Sequence, residues 1–163
     1  MIIKEGYYEK KVYILKNLDD TNTLAKIIAK IAKPNLILLL NGPLGSGKTQ
    51  ITKLIGNLLG VKNIINSPTF IIWNKYQTKY EWNLIHMDAY RLINPHLEEY
   101  YEIMMNNFMI IEWSERLKIN FNNYSYIAID FKIIDINSRQ IVINTNLLTK
   151  EEEKYLFDAL KKI

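Results

Sequence analysis

The chain alternates between continuous apolar runs and apolar residues at helical spacing. Residues 36–40 and 108–111 are continuous apolar runs, which predict strands covered on both faces of a sheet. A segment that begins at residues 19–21 and ends before Pro34 carries Leu24 and three isoleucines on one helical face, which predicts a helix. This alternation of strand and helix signals is typical of an α/β fold.

The same patterns predict the remaining elements. Strands are predicted at residues 7–15, 69–76, 82–88, 124–134 and 139–145, and helices at residues 49–59, 97–105 and 149–162. Thr149 and Glu152 form a capping box at the start of the last helix. No repeat, linker or low-complexity stretch divides the chain. We therefore predict one three-layer α/β domain over residues 1–163, with a mostly parallel central sheet and some antiparallel strands.

The composition is that of a globular protein, and it narrows the possible chemistry. Of the 163 residues, 48% are hydrophobic and 23% are charged. No apolar run approaches the ~18 residues that a membrane helix needs. The absence of cysteine excludes disulfides, thiolate metal sites and a cysteine nucleophile. Because the N-terminus carries no recognisable secretory signal, we expect a cytoplasmic protein that does not enter a membrane.

Basic residues outnumber acidic residues, but they are spread along the whole chain. Lysine and arginine count 21 against 17 acids, which gives a net charge of +4. A protein that holds nucleic acid by its backbone typically neutralises roughly 6–10 phosphates. The thin spread of charge therefore gives only weak support to direct RNA binding.

A glycine-rich turn lies between a predicted buried strand and a predicted helix. Residues 42–49, GPLGSGKT, match the phosphate-binding pattern G-x-x-x-x-G-K-[ST] in full. Glycines let consecutive backbone N–H groups point inward, and the start of the helix adds partial positive charge. Lys48 can reach the β- and γ-phosphates, and Thr49 offers its hydroxyl to Mg²⁺. The sequence therefore predicts a P-loop NTPase-like domain.

Two acids close apolar strands and are candidates to hold the metal of such a domain. Asp88 follows residues 84–87, and Glu112 follows residues 109–111. A carboxylate at the end of a buried strand needs a cation or hydrogen-bond donors, which favours a site. His86 shares the strand face of Asp88, where it could orient a group near the phosphates or be a hydrogen-bonded core residue.

The connection after the P-loop helix contains residues 67–70, SPTF. In P-loop proteins this connection can fold over the γ-phosphate as a switch, and a plain loop is the alternative. Guanine specificity is not expected, because the strings nearest to the GTPase motifs, at residues 74–77 and 88–91, both fail at their last residue. Trp113 stands next to a candidate acid and so near the site, whereas the other tryptophans are expected to pack.

The chain resembles the bacterial TsaE (YjeE) family in four strings and in their order and spacing, namely NGPLGSGKT, SPTF, HMDAYRL and IEWSE. The match extends from Thr21 to about Arg139. The resemblance implies an ATPase of the machinery that forms N6-threonylcarbamoyladenosine next to the anticodon of certain tRNAs. It also implies ATP and Mg²⁺ as cofactors, TsaB and TsaD as partner proteins, and only indirect contact with tRNA.

The resemblance further implies which residues hold the nucleotide and the metal. Lys48, Asp88 and Glu112 are the predicted catalytic residues. Mg²⁺ is predicted on Thr49 and Glu112, with Asp88 beside the metal and the γ-phosphate. The family usually has aspartate where this chain has Pro43, which cannot donate a hydrogen bond, but phosphate binding is expected to survive because this early position is not among the innermost donors. The ATP phosphates are predicted on Gly45, Ser46, Gly47, Lys48 and Thr49.

Residues outside the P-loop are also implied by the resemblance. Ser67 and Thr69 fall in the switch-like loop. Thr21 is predicted near the adenine, and the turn at Ser138 and Arg139 is predicted near the nucleotide. These five residues complete the predicted cofactor-binding set.

Two other functions stay open at this stage. A free-standing small-molecule kinase could use the same fold, although three scattered arginines give little support to the arginine-bearing lid that such kinases usually have. A nucleotide-responsive interaction module with vestigial hydrolysis is the other alternative. The three functions differ in the fate of the γ-phosphate, which is released, transferred to a metabolite or retained.

Overall fold

The structure is a computed structural model that describes residues 11–68, 72–92 and 98–163. The described residues form one seven-stranded mixed sheet in the order β1-β7-β6-β2-β5-β4-β3. Strands β6, β2, β5 and β4 run parallel in the centre, while β3 pairs antiparallel with β4 and the β7–β1 pair is antiparallel at the other edge. The strands are β1 Lys11–Leu15, β2 Leu36–Asn41, β3 Trp73–Gln77, β4 Asn83–Asp88, β5 Phe108–Glu112, β6 Ser125–Ile133 and β7 Arg139–Asn146.

Helices flank this sheet and begin where the sequence supplies caps. The α-helices of the described ranges are α1 Leu18–Ile31, α2 Lys48–Leu58, α3 Glu98–Met104 and α4 Lys150–Leu160. Asn17 caps α1 because its side chain accepts a hydrogen bond from the Asp20 N–H. The capping box that was predicted at Thr149 and Glu152 is confirmed at the start of α4. Single 3-10 turns follow β5 and precede β6, at Ser114–Arg116 and Phe121–Asn123.

The sheet separates two hydrophobic cores, one on each face. Because successive side chains of a strand point to opposite faces, the apolar run of β2 serves both cores. Leu38 lies in a core with buried residues of α1, α2 and α4, whereas Leu39 lies in a second core with Tyr100 and Met104 of α3. The predicted α/β fold with a mostly parallel central sheet and antiparallel edges is confirmed.

The predicted elements differ from the observed ones mainly at their ends. Helix α1 begins at Leu18 rather than at residues 19–21, because Asn17 provides the cap two residues before the first acid, Asp19. The strands predicted at 7–15 and 69–76 correspond to β1 and β3, and residues 7–10 and 69–71 lie outside the described ranges. The extent of the domain over residues 1–163 stays a prediction.

The topology brings the carboxyl ends of the central strands to one edge of the sheet. In the register of the parallel pairs, Leu40 and Asp88 both stand opposite Glu112. The loop from β2 to α2 leaves the sheet at this edge, where ligands of open α/β sheets bind. Across the described ranges, no helix has the length and apolar character needed to cross a membrane.

Candidate nucleotide-binding site

The loop between β2 and α2 owes its shape to glycines with positive φ. Gly42 has φ +135°, and a Cβ there would stand 2.6 Å from the backbone oxygen of Phe131, so only glycine fits. A Cβ added at Gly45 or Gly47 would meet no atom within 4 Å. The loop therefore presents open space above its later glycines. Gly47 caps α2 without any side-chain acceptor, so the first N–H groups of the helix also face that space.

The Lys48 side chain lies folded inside this loop. The residue is only 5% exposed, and its ammonium donates to the backbone oxygens of Gly42 at 2.7 Å and Pro43 at 3.0 Å. The ammonium also lies 3.9 Å from the centroid of the Trp113 ring. Burial lowers the pKa of Lys48, and the nearby acids Glu112, Glu115 and Asp88 offset only part of that effect. Lys48 makes no ion pair with any described residue.

Thr49 and Glu112 meet beside the loop. The Thr49 hydroxyl donates to Glu112 Oε2 at 2.9 Å. The other carboxylate oxygen, Oε1, lies 2.8 Å from Nε2 of His86. His86 is fully buried and Glu112 is 2% exposed, so this pair is shielded from solvent. His86 is thus a buried core residue that contacts a predicted site residue, and an orienting role stays a prediction.

Asp88 joins the site from β4 and is held by its own neighbours. Its Oδ2 accepts a hydrogen bond of 2.9 Å from the Ser67 hydroxyl, and its Oδ1 accepts one of 2.9 Å from the Tyr90 N–H. Ser67 and Asp88 line the same cleft of about 330 Å³ as Lys48. The predicted loop residue Thr69 lies outside the described residues.

A second cleft of about 340 Å³ adjoins the first and shares Gly45, Ser46 and Gly47 with it. Thr21 of α1 and Arg139 of β7 line this second cleft. Thr21 and Arg139, which are far from the P-loop in the sequence, thus lie beside it in the structure.

Arg139 braces the loop directly. Its Nε donates to the Ser46 oxygen at 3.2 Å, and an Nη nitrogen donates to the Gly45 oxygen at 3.3 Å. The predicted residue Ser138 differs, because its hydroxyl donates to Asp135 within the β6–β7 turn rather than lining the cleft. The hydrogen bonds from Ser138 and from the Asn137 N–H lower the pKa of the exposed Asp135 carboxyl, which fixes the turn next to Arg139.

Two further residues contribute to the site, Trp113, which the sequence places near it, and Asn41, which the sequence analysis did not single out. Trp113 has left-handed backbone angles, φ 60° and ψ 39°, and its N–H donates to the Leu40 oxygen at 2.8 Å, which turns its ring over Lys48. Asn41 accepts hydrogen bonds from the Ser114 hydroxyl at 2.6 Å and donates to Asp130 at 3.0 Å. Asn41 therefore connects the end of β2 to the turn after β5 and to the middle of β6. Only its position as the last residue before the P-loop could have suggested this.

The oxygen atoms of the site suit a cation that binds few protein ligands and completes its coordination shell with other molecules. In the described ranges, no group of three or more histidine, aspartate and glutamate side chains could hold a metal by itself. Mg²⁺ commonly needs only one or two protein oxygens, because phosphate oxygens and water complete its shell. The Thr49 hydroxyl and the Glu112 carboxylate fit this requirement.

A buried strand, a glycine-rich loop with the phosphate-binding sequence and a helix define a P-loop-type α/β protein. The chain belongs to the TsaE family, because the family model for "Threonylcarbamoyl adenosine biosynthesis protein TsaE" matches residues 15–141. The resemblance seen in the four sequence strings is thereby confirmed. Membership places the protein in the biosynthesis of threonylcarbamoyladenosine in tRNA.

Individual relatives cover most of the chain. The tRNA threonylcarbamoyladenosine biosynthesis protein TsaE of Rickettsia felis is 38% identical over 91% of this chain and 85% of its own length. The protein of the same name from Aquifex aeolicus is 36% identical over 82% of this chain and 95% of its own length. The crystal structure of Bacillus subtilis YdiB superposes with a TM-score of 0.70 at 28% identity, covering 94% of this chain and 95% of that chain.

Proposed function

We propose that the protein binds ATP with Mg²⁺ and hydrolyses it as one component of the complex that forms N6-threonylcarbamoyladenosine next to the anticodon of tRNAs. Its partners in this proposal are proteins of the TsaB and TsaD type. One observation carries the proposal of a nucleotide site. It is the buried ammonium of Lys48, which has no ion pair among the described residues and lies in a glycine loop at the start of a helix.

The electrostatics of the loop favour a highly charged anion. Burying a cation without a counter-ion is unfavourable, and the lowered pKa of Lys48 expresses that cost. A triphosphate would supply the missing negative charge, while the backbone N–H groups at the start of α2 and the open space above Gly45 and Gly47 would receive its oxygens. On binding, we expect Lys48 to exchange its two backbone acceptors for phosphate oxygens.

The metal site of the proposal consists of Thr49 and Glu112. When bound, Mg²⁺ would neutralise charge on the β- and γ-phosphates. The Thr49 hydroxyl is already oriented by its 2.9 Å hydrogen bond to Glu112. Glu112 brings a buried negative charge to the cleft from the end of β5.

The nucleoside is proposed to occupy the adjoining cleft. That cleft shares the P-loop residues with the phosphate cleft and extends between α1 and the β6–β7 turn. Thr21 and Arg139 border it and would lie beside the nucleoside in this proposal. Adenine is favoured over guanine because the chain lacks the sequence motif that reads guanine.

Hydrolysis requires a group that orients the attacking water, and Asp88 is the proposed candidate. Its carboxylate stands opposite Glu112 across the β4–β5 pair and lines the phosphate cleft. The hydrogen bonds from Ser67 and Tyr90 fix the carboxylate plane, so its remaining lone pairs point in set directions. Lys48 would stabilise negative charge on the transferring phosphoryl group.

Asp88 and Glu112 are predicted to have different effects when substituted. Glu112→Ala should raise the free Mg²⁺ concentration that half-saturates ATP binding by about tenfold or more. Loss of a residue that only orients a metal ligand typically weakens metal binding by about 10–100-fold, and loss of the ligand itself should weaken it at least as much. Asp88→Asn should leave that concentration nearly unchanged and slow hydrolysis by about a hundredfold. Magnesium titrations of nucleotide binding, with single-turnover hydrolysis alongside, measure both effects.

Glu81→Ala is the control, because Glu81 is an exposed acid that lines neither cleft. It should behave as the wild type in both assays. The opposite ranking of Asp88→Asn and Glu112→Ala would exchange the two proposed roles. No effect from either substitution would rule out the shared site.

The function is tested by following the γ-phosphate of ATP with the chain alone and after adding TsaB- and TsaD-type proteins. The proposal expects release of inorganic phosphate that depends on those proteins. Transfer of the phosphoryl group to a metabolite would instead identify a small-molecule kinase. Binding of ATP without turnover under every condition would identify a nucleotide-responsive interaction module.

A further inference from the structure

Among the described residues, the only buried side-chain nitrogen or oxygen without a hydrogen-bond partner is Nδ1 of His86. The residue is fully buried in the middle of β4, between apolar neighbours on the strand. An unpaired buried polar atom destabilises a protein, so an apolar side chain would be less costly at this position. The roles proposed above for Lys48, Thr49, Asp88 and Glu112 do not explain a histidine here.

The other ring nitrogen of His86 defines the direction of a chain of hydrogen bonds. A carboxylate that holds a cation is ionised and can only accept, so the inference places the proton on Nε2 in its 2.8 Å contact with Glu112 Oε1. On the opposite side of the same carboxylate, Oε2 accepts from the Thr49 hydroxyl at 2.9 Å. Glu112 is therefore held from both sides, by the core through His86 and by the P-loop helix through Thr49.

This direction determines what Thr49 presents to the cleft. A hydroxyl has one proton, and Thr49 donates it to Glu112. The lone pairs of the Thr49 oxygen therefore remain available to other ligands. Lone pairs beside a carboxylate are suitable ligands for a hard cation. Without the donor from His86, no described residue hydrogen-bonds to Glu112 Oε1, and the carboxylate is free to rotate away from Thr49.

We propose that His86 is a positioning residue of the magnesium site, which fixes the Glu112 carboxylate so that Thr49 and Glu112 together favour a cation. The inference rests on the proposed function and deepens it. It assigns His86 no contact with nucleotide or metal. It requires only that Nε2 donates to Glu112, and the unpaired Nδ1 is the cost of placing that donor in the core.

A matched pair of substitutions tests the donor itself. His86→Gln keeps an N–H donor near the position of Nε2, whereas His86→Met has similar length and no donor. His86→Met should raise the half-saturating free Mg²⁺ for ATP binding by about tenfold, in the range typical of groups that orient metal ligands. His86→Gln should stay within about threefold of the wild type, and ATP binding in a chelator should be the same for all three proteins.

A double-mutant comparison separates positioning from general structural damage. If His86 acts through Glu112, adding His86→Met to Glu112→Gln should change the magnesium requirement no further than Glu112→Gln alone. Additive effects would overturn the inference, and so would equal effects of His86→Gln and His86→Met. If the ATP affinity of the wild type does not depend on Mg²⁺, the proposed function and this inference are both overturned. A normal wild-type response together with an unchanged His86→Met protein would overturn the inference alone.

The wild-type protein provides a test that does not depend on variants that fold. Nitrogen-15 NMR of the imidazole should show Nε2 protonated and Nδ1 unprotonated, with slow solvent exchange of the Nε2 proton because of burial. Adding Mg²⁺ to the ATP-bound protein should shift the Nε2 resonance through Glu112. Protonation of Nδ1 with a bare Nε2 would contradict the inference.

Discussion

Replacing Lys48 with methionine should strongly weaken ATP binding while leaving the protein at least as stable as the wild type. Charged hydrogen bonds contribute about 1.5–3 kcal/mol each, so loss of the contact with phosphate should weaken ATP binding roughly ten- to hundredfold. The fold should not suffer, because Lys48 is buried without an ion pair among the described residues and its charge is unfavourable there. Binding calorimetry and chemical denaturation measure the two effects.

The stability difference between Lys48→Met and the wild type should also depend on pH in a defined way. Burial lowers the pKa of Lys48 below its ordinary value of 10.5, so the folded wild type binds fewer protons than the unfolded chain between the two pKa values. Wild-type stability therefore rises with pH through that window, and the advantage of Lys48→Met should shrink as the pH approaches 10.5. Lys53→Met, on the same helix and outside both clefts, is the control and should bind ATP normally. Unfolding of Lys48→Met together with loss of binding would contradict the assignment.

Turnover of ATP by the isolated chain should be slow, and proteins of the TsaB and TsaD type should accelerate it by about 10³-fold or more, the low end of what a supplied arginine contributes. The arginines near the site are already engaged. Arg139 donates to backbone oxygens of the P-loop and of the β6–β7 turn, and Arg116 donates to the Tyr90 oxygen at 3.0 Å and stacks on the Tyr90 ring. A docked partner could supply the missing charge, or exclude water by ordering the loop that contains Ser67.

Steady-state phosphate release with and without the partner proteins measures this acceleration. Lys48→Met should show no accelerated turnover in the same mixture, which assigns the activity to this chain. Brisk hydrolysis by the lone chain that does not change on adding the partners would refute the dependence.

Much of the fold was predictable because its central elements are local patterns. The apolar runs of β2 and β5 and the helical face of α2 are strong signals, and the P-loop sequence joins two of them. The order of the strands was not predictable, because it depends on pairings between distant segments. The pairing of β1 with β7 at the edge of the sheet is an example.

The site was predictable where its residues form a motif of consecutive positions. It was less predictable where contacts depend on the register between paired strands. Lys48 and Thr49 follow from the P-loop pattern alone. His86 was placed on the strand face of Asp88, but its contact with Glu112 depends on how β4 aligns with β5. The bracing of the P-loop by Arg139 likewise needs β7 to return to the sheet 93 residues after Ser46. Such contacts have no local sequence signal.

The central proposal is that the loop around Lys48 binds ATP together with Mg²⁺. Calorimetric titration of the isolated wild-type chain with ATP, in excess Mg²⁺ and again in a chelator, tests it most directly. We predict one saturable site that binds ATP more tightly with Mg²⁺ and that Lys48→Met weakens roughly ten- to hundredfold. Absence of ATP binding in excess Mg²⁺, or binding that Lys48→Met leaves unchanged, would contradict the claim.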